Sequence, residues 1–224
     1  MKSQNVLLLT LIILSLNGCA SFRSDVNNAT KFNQVIQQKN LVSVTFDFYH
    51  YYQSKGFDAI PKLMNYPGIS SFNDIFKESL KNISNISEFE TFVNKSNDVE
   101  SQTRRRERDS LINRTDYVIR IEIYREKSFA KHFLAGLLSS ATLTIFPTSY
   151  NWNYAVNVTV LDKKNLVVGK YSRNTDVTTW YQTFLVLIYP FYVEEKQNED
   201  IYIEMLSNIF NQIEFENVLK QRVE

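Results

Sequence analysis

"DYVIRIEIYRE", residues 116–126, decides the fold. Tyr117, Ile119, Ile121 and Ile123 alternate with residues that include Arg120 and Glu122. Period two, carried by β-branched and aromatic side chains, predicts a strand with one buried face. The same pattern recurs on either side. "LVSVTFDFYHYY", residues 41–52, sets Val42, Val44, Phe46 and Phe48 against Ser43, Thr45 and Asp47. "NYAVNVTVLD", residues 153–162, repeats it through Tyr154, Val156, Val158 and Val160. "DKKN", residues 162–165, supplies a turn, and "LVVGKYSRNTDV", residues 166–177, returns as the hairpin partner. "SEFETFVN", residues 87–94, is a shorter strand.

Helical spacing separates these strands. In "SSFNDIFKESLKNI", residues 70–83, Phe72, Ile75, Phe76, Leu80 and Ile83 share one face, and Ser70 and Ser71 can cap it. Residues 98–113 form a charged helix with only Val99, Leu111 and Ile112 to bury, and Ile201, Met205, Ile209 and Ile213 line a final helix. The expected order is β-α-β-α-β-β-β-α. A helical crossover returns the chain in the same direction, so the first strands pair parallel, and the later hairpin makes the sheet mixed. The expected fold class is α+β: a two-layer sandwich with two apolar connecting segments.

At the start of the chain, an apolar run from about Val6 to Leu16 follows a single charge, Lys2. It is about half of the ~20 residues that a spanning helix needs. A basic start, a short apolar centre and small residues at a cut site have the layout of a secretory signal. Leu16, Asn17, Gly18 and Cys19 resemble the lipobox of bacterial lipoproteins. That resemblance implies cleavage between Gly18 and Cys19 and acyl chains on Cys19; an ordinary signal peptide with an incidental cysteine is the alternative. Cys19 is the only cysteine, so no intrachain disulfide can form. Ala20 and Ser21 after it favour, by the same resemblance, the outer membrane, with the protein facing the periplasm. The expected organisation is a signal peptide over 1–18, the lipidated cysteine with a polar tether over 19–40, and one α+β domain over 41–224.

The helix "SSFNDIFKESLKNI" before "EFETFV", then "DYVIRIEI" and the hairpin "VNVTVLDKKNLVVGKYS", resemble a group of envelope-assembly lipoproteins. The group includes the curli secretion-channel lipoprotein, the lipoprotein activators of penicillin-binding proteins and the N-terminal domain of the Tol-system propeller protein. The resemblance implies an α+β envelope domain that binds or assembles with protein partners.

Composition excludes some functions and leaves others. With 25 basic and 24 acidic residues among 224, nothing pulls the chain towards nucleic acid. Aromatics reach 14%, with few glycines and prolines, which suits a packed sheet rather than disorder. Catalysis needs a group that titrates near neutrality or a held metal. His50 and His132 are the only histidines: the first reads as a strand-end surface residue, the second as a water boundary beside an apolar segment. There is no glycine-flanked serine elbow and no phosphate loop. Glu194, Glu195, Glu199 and Asp200 read as a solvated face. The expectation is a protein that is not an enzyme, with no cofactor and no metal site.

Two features could bind something. Arg104, Arg105, Arg106 and Arg108 could grip an anion through their planar forks, or simply be the solvated face of a helix. Two long charge-poor segments, "HFLAGLLSSATLTIFPTSYNW" (132–152) and "TTWYQTFLVLIYPFYV" (178–193), interrupt the strands. They are either core or a docking surface made of Phe133, Leu134, Leu137, Leu138, Trp180, Phe184, Leu185 and Leu187. Both should leave from the same end of the sheet. The function expected is a lipid-anchored envelope module, held by acyl chains on Cys19, that binds a protein partner or the membrane surface. The alternative is an oligomeric subunit of an outer-membrane export or assembly machine.

Overall fold

The computed structural model describes residues 19–30, 41–65, 72–81, 83–98, 101–142, 145–182, 185 and 192–220. The signal segment 1–18 and residues 31–40 of the expected tether lie outside these.

Among the described residues, seven strands form one mixed sheet. They are β1 (Cys19–Arg23), β2 (Val42–Lys55), β3 (Lys62–Leu63), β4 (Ile86–Asn94), β5 (Tyr117–Ser128), β6 (Thr148–Asp162) and β7 (Val167–Tyr181). The order across the sheet is β1-β7-β6-β5-β2-β3, with β4 also pairing with β2. β2 pairs parallel with both β4 and β5, as the two helical crossovers require. β5, β6 and β7 run antiparallel in succession. The β6–β7 turn forms because Asp162 Oδ1 accepts the amides of Lys164 and Leu166, and Asn165 takes a positive φ of 59°. Asparagine tolerates that left-handed conformation better than most residues.

Four α-helices are described: α1 (Phe72–Leu80), α2 (Gln102–Arg114), α3 (Phe129–Ala141) and α4 (Glu194–Phe215). The inner face of the sheet carries the alternating residues named above. Val44, Phe46, Ile119, Ile121, Val156 and Val160 have no exposed surface. Ile201, Met205, Ile209 and Ile213 of α4 close over them, equally buried. Phe76 of α1 meets Phe46 and Phe48 edge-on at 4.8 and 4.9 Å. Each such side chain contributes about 1.5–3 kcal/mol by leaving water. The mixed α+β sandwich is the observed architecture. Helix α2 lies on the opposite, outer face over β2 and β4, where it has no buried apolar residue of its own.

Three sequence readings are corrected. His50 is 3% exposed, not a surface residue, because β2 runs on to Lys55 and keeps His50 on the inner face. Its ring meets Phe72 at 4.8 Å, and burial pushes its pKa down to about 4. Residues 19–27 are part of the domain rather than a tether. Ser21 and Thr179 share a hydrogen bond between hydroxyls at 2.8 Å, Ala20 and Val26 are buried, and Asn27 bridges to Asn174. Glu194, expected on a solvated face, is bonded on three sides, as described below.

Candidate apolar docking end and its polar hub

One end of the sheet gathers the features that matter. β1 begins there, β5 ends there, β6 begins there and β7 ends there: Cys19 pairs with Tyr181, and Tyr181 with Thr148. On the other side, Lys55 at the end of β2 pairs with Ser128, the last residue of β5. The chain then turns directly into α3. Thus Cys19 and the first apolar segment emerge at the same end.

Helix α3 packs the reverse of an ordinary amphipathic helix. Its sheet side carries small residues, the buried Ala135 and Ser139, and the His132 ring lies 4.2 Å from Tyr150 and 5.1 Å from Trp152. His132 Nδ1 lies 3.0 Å from the Ser128 carbonyl oxygen, and burial, with Lys127 and Arg125 nearby, pushes its pKa down. Phe133, Leu134, Leu137 and Leu138 point outward, each between 53 and 59% exposed. Lys131 is the only charge in the helix. Near its C-terminus, Ser140 and Thr142 hydroxyls donate to the carbonyls of Gly136 and Leu138, so fewer polar groups need water.

The patch extends to residues that the sequence did not single out. After Gly56, whose φ of 91° suits only a glycine, Phe57 stands 74% exposed. Its ring stacks on Phe129 at 5.5 Å, and Phe129 on Phe133 at 6.0 Å. Ile60, Ile145 and Phe146 are also exposed. Monomeric proteins rarely expose contiguous apolar patches beyond about a few hundred Å².

The second segment contributes differently. Thr179 faces α4, so Trp180 next to it is on the outer face, 40% exposed, at the same end as α3 but across the sheet. Leu185 is half-buried. Phe184 and Leu187 lie outside the described residues. None of the described helices is long and apolar enough to cross a membrane.

Beneath the patch lies a polar hub. Glu194, the first residue of α4, accepts from Arg125 at 3.0 Å, from the Tyr150 hydroxyl at 3.1 Å and from Thr179 at 3.4 Å. Tyr181 donates to the Tyr150 hydroxyl at 3.2 Å. A carboxylate at a helix N-terminus is favoured by the helix dipole. Thr179 carries the hub on to Ser21 of β1. The Cys19 thiol is half-buried, and burial and Glu194 raise its pKa, so it is a poor nucleophile at neutral pH.

The four arginines divide. Arg108 grips the fully buried Asp47 with Nε at 3.1 Å and Nη2 at 2.6 Å, and Arg104 pairs with Asp98 and Glu107 while lying 4.3 Å over the Phe92 ring. Arg120 stands 3.7 Å from Asp47, and Asn94 donates to it at 2.7 Å. Arg104 and Arg108 therefore hold α2 to the sheet. Arg105 and Arg106 are exposed. Among the described residues no three of His, Cys, Asp and Glu converge as a metal site.

No protein-family model matches the chain, and no curated protein sequence matches it. Among solved structures, it is similar to the PelC dodecamer from Paraburkholderia phytofirmans, at 5% identity and a TM-score of 0.31, over 86% of this chain and 96% of that one. A point variant of that dodecamer in a second crystal form gives 5% identity and a TM-score of 0.29, with the same shares covered. Likeness at that level carries no argument about function.

Proposed function

We propose that this chain is a lipid-anchored envelope protein that stands directly on a bilayer and serves as a binding module rather than an enzyme. Acyl chains on Cys19 would hold it, and the apolar end formed by α3 and Phe57 would dip into the same leaflet. The observation that carries the reading is the register of Cys19 with Tyr181 and Thr148, which sets the anchoring residue at the end where α3 emerges. Cys19 is already the first residue of a sheet strand, so few free residues separate lipid from fold. An anchor of that kind fixes orientation as well as location.

Physical chemistry supports the bilayer as occupant of the apolar end. Acyl chains contribute ~0.8 kcal/mol per buried methylene, and one chain alone binds reversibly. An apolar helix lying in the interface adds to that without spanning. The outward leucines and phenylalanines, the lone Lys131 and the aromatic rings of Phe57 and Phe129 suit that depth. An envelope partner would then meet the surfaces that face away from the membrane.

The test is a mature chain beginning at residue 19 with Cys19→Ser, mixed with lipid vesicles. Flotation with the vesicles, lost in the double variant Leu134→Asp with Leu137→Asp at unchanged melting temperature, supports the reading. Equal flotation of both proteins, or none of either, overturns the role given to α3. A larger assembly seen by mass in mild detergent, and broken by the same double variant, would instead make that face a contact between copies.

A further inference from the structure

We propose that a single buried water molecule is an integral part of this fold, bound between His50, Arg125, Tyr154 and Asn198. The inference is independent of the membrane reading. His50 Nε2, Arg125 Nε, the Tyr154 hydroxyl and Asn198 Oδ1 are each shielded from solvent and make no hydrogen bond of full geometry among the described residues, and the Tyr154 hydroxyl lies beside the Arg125 and Asn198 side chains. All four residues line one cavity, in which about 10 Å³ is open to the centre of a water molecule. A water needs roughly 10–15 Å³ by that measure and two to four polar partners. That space is the size of one water.

Chemistry selects water over an ion. An arginine Nε can only donate and an asparagine Oδ1 can only accept. Buried His50 is neutral at pH 7, its pKa pushed down to about 4, so its Nε2 accepts when the proton sits on Nδ1. The Tyr154 hydroxyl donates; its pKa is raised, chiefly by burial, which keeps its proton on. Two donors and two acceptors match the two acceptor and two donor positions of water. A metal ion would face the Arg125 guanidinium, and chloride would face the Asn198 oxygen, so each meets repulsion that water does not.

The surroundings explain why these groups are left for a water. Arg125 spends Nη2 on Glu194 and lays its guanidinium 3.9 Å over the Trp152 ring. Arg125 and Tyr154 are cross-strand partners on β5 and β6. His50 comes from β2 and Asn198 from α4. The water would therefore tie three strands to the start of α4, as the inner continuation of the Glu194 hub.

A crystal structure of the intact protein tests this. The expected result is one spherical density peak within hydrogen-bond distance of all four atoms, without anomalous signal. Direct contacts among the four side chains with no peak would overturn it, as would an anomalous signal there. In the variant Asn198→Leu with Tyr154→Phe, which keeps the side-chain volumes, the peak should disappear. A peak that persists there would also overturn the assignment. If that variant fails to fold, the density in the unaltered protein decides alone.

Discussion

Cys19 and Tyr181 are register partners on the outermost rung of β1 and β7, at the end of the sheet from which α3 projects. An acyl chain on Cys19 would thus enter the bilayer beside the sheet, with no long leash. With that anchor, orientation of the domain on the membrane would follow from strand register.

If that is so, β1 matters to the fold as well as to the anchor. Removing residues 19–27 would strip Ala20 and Val26 from the core and leave the Thr179 hydroxyl without Ser21. Burying a valine alone contributes about 1.5–3 kcal/mol. The truncated chain should lose at least about 2 kcal/mol in urea unfolding, relative to the same chain beginning at residue 19. Equal midpoints would mean that β1 is an incidental strand.

Lipid attachment is checked by labelling. Cells fed a radiolabelled fatty acid should yield labelled protein, and Cys19→Ser should abolish the label and leave the uncleaved precursor. Normal cleavage in Cys19→Ser would point to an ordinary signal peptide.

The outer-face ion pair gives a stability prediction. Asp47 has no exposed surface, and Arg108 is its closest cation. Arg108→Ala would leave a buried carboxylate with Asn94, the Tyr49 hydroxyl and the more distant Arg120. Removing one partner of a buried pair costs about 3–5 kcal/mol, and the partners that remain put this case at the low end of that range. Arg106→Ala, on the exposed face of α2, should change stability little. Similar effects of the two substitutions would remove the structural role assigned to Arg108.

His50 predicts a pH dependence. Its folded pKa of about 4 lies below the ordinary histidine value of 6.5, so below pH 6.5 the unfolded chain takes up a proton that the folded chain refuses. Stability from this residue is therefore complete above about pH 6.5 and is lost as pH falls towards 4, by roughly 3 kcal/mol in all. In His50→Phe, which keeps an aromatic ring against Phe72, unfolding measured at pH 7, 5.5 and 4 should show a shallower slope. An unchanged slope would locate the acid sensitivity elsewhere.

Much of this architecture is legible in the residues themselves. β5 from Tyr117 to Ile123 and β6 from Tyr154 to Val160 carry alternation, β7 is recognised by its turn with β6, and α1 and α4 carry helical spacing, because each buries one side on a single core. β1 is not legible: "CASFR" has no alternating apolar set, and the strand is held through its main chain, the Ser21–Thr179 hydroxyl pair, the Arg23–Glu204 ion pair and the Phe22–Tyr192 ring contact. His50 misleads because the residues that continue β2 are polar, so the pattern seems to stop where the strand does not. The apolar content of α3 is plain, but its direction is not. Only the tertiary contact of His132, Ala135 and Ser139 with the sheet turns the large residues outward. α3 supplies an exposed patch, Trp180 stands across the sheet, and Phe57 has no sequence signal because a hairpin tip has no period to read.

The central claim is that the α3 end faces the bilayer, and one measurement addresses it most directly. With Cys19 acylated, Leu137→Cys leaves a single reactive thiol for a spin label, and Leu166→Cys does the same at the far hairpin. The lipidated protein in vesicles is then exposed to oxygen, which concentrates in lipid, and to a water-soluble nickel complex. The account predicts that the label at residue 137 is relaxed by oxygen and shielded from nickel, and the label at residue 166 the reverse. Labels at 137 and 166 that are equally open to nickel would contradict it.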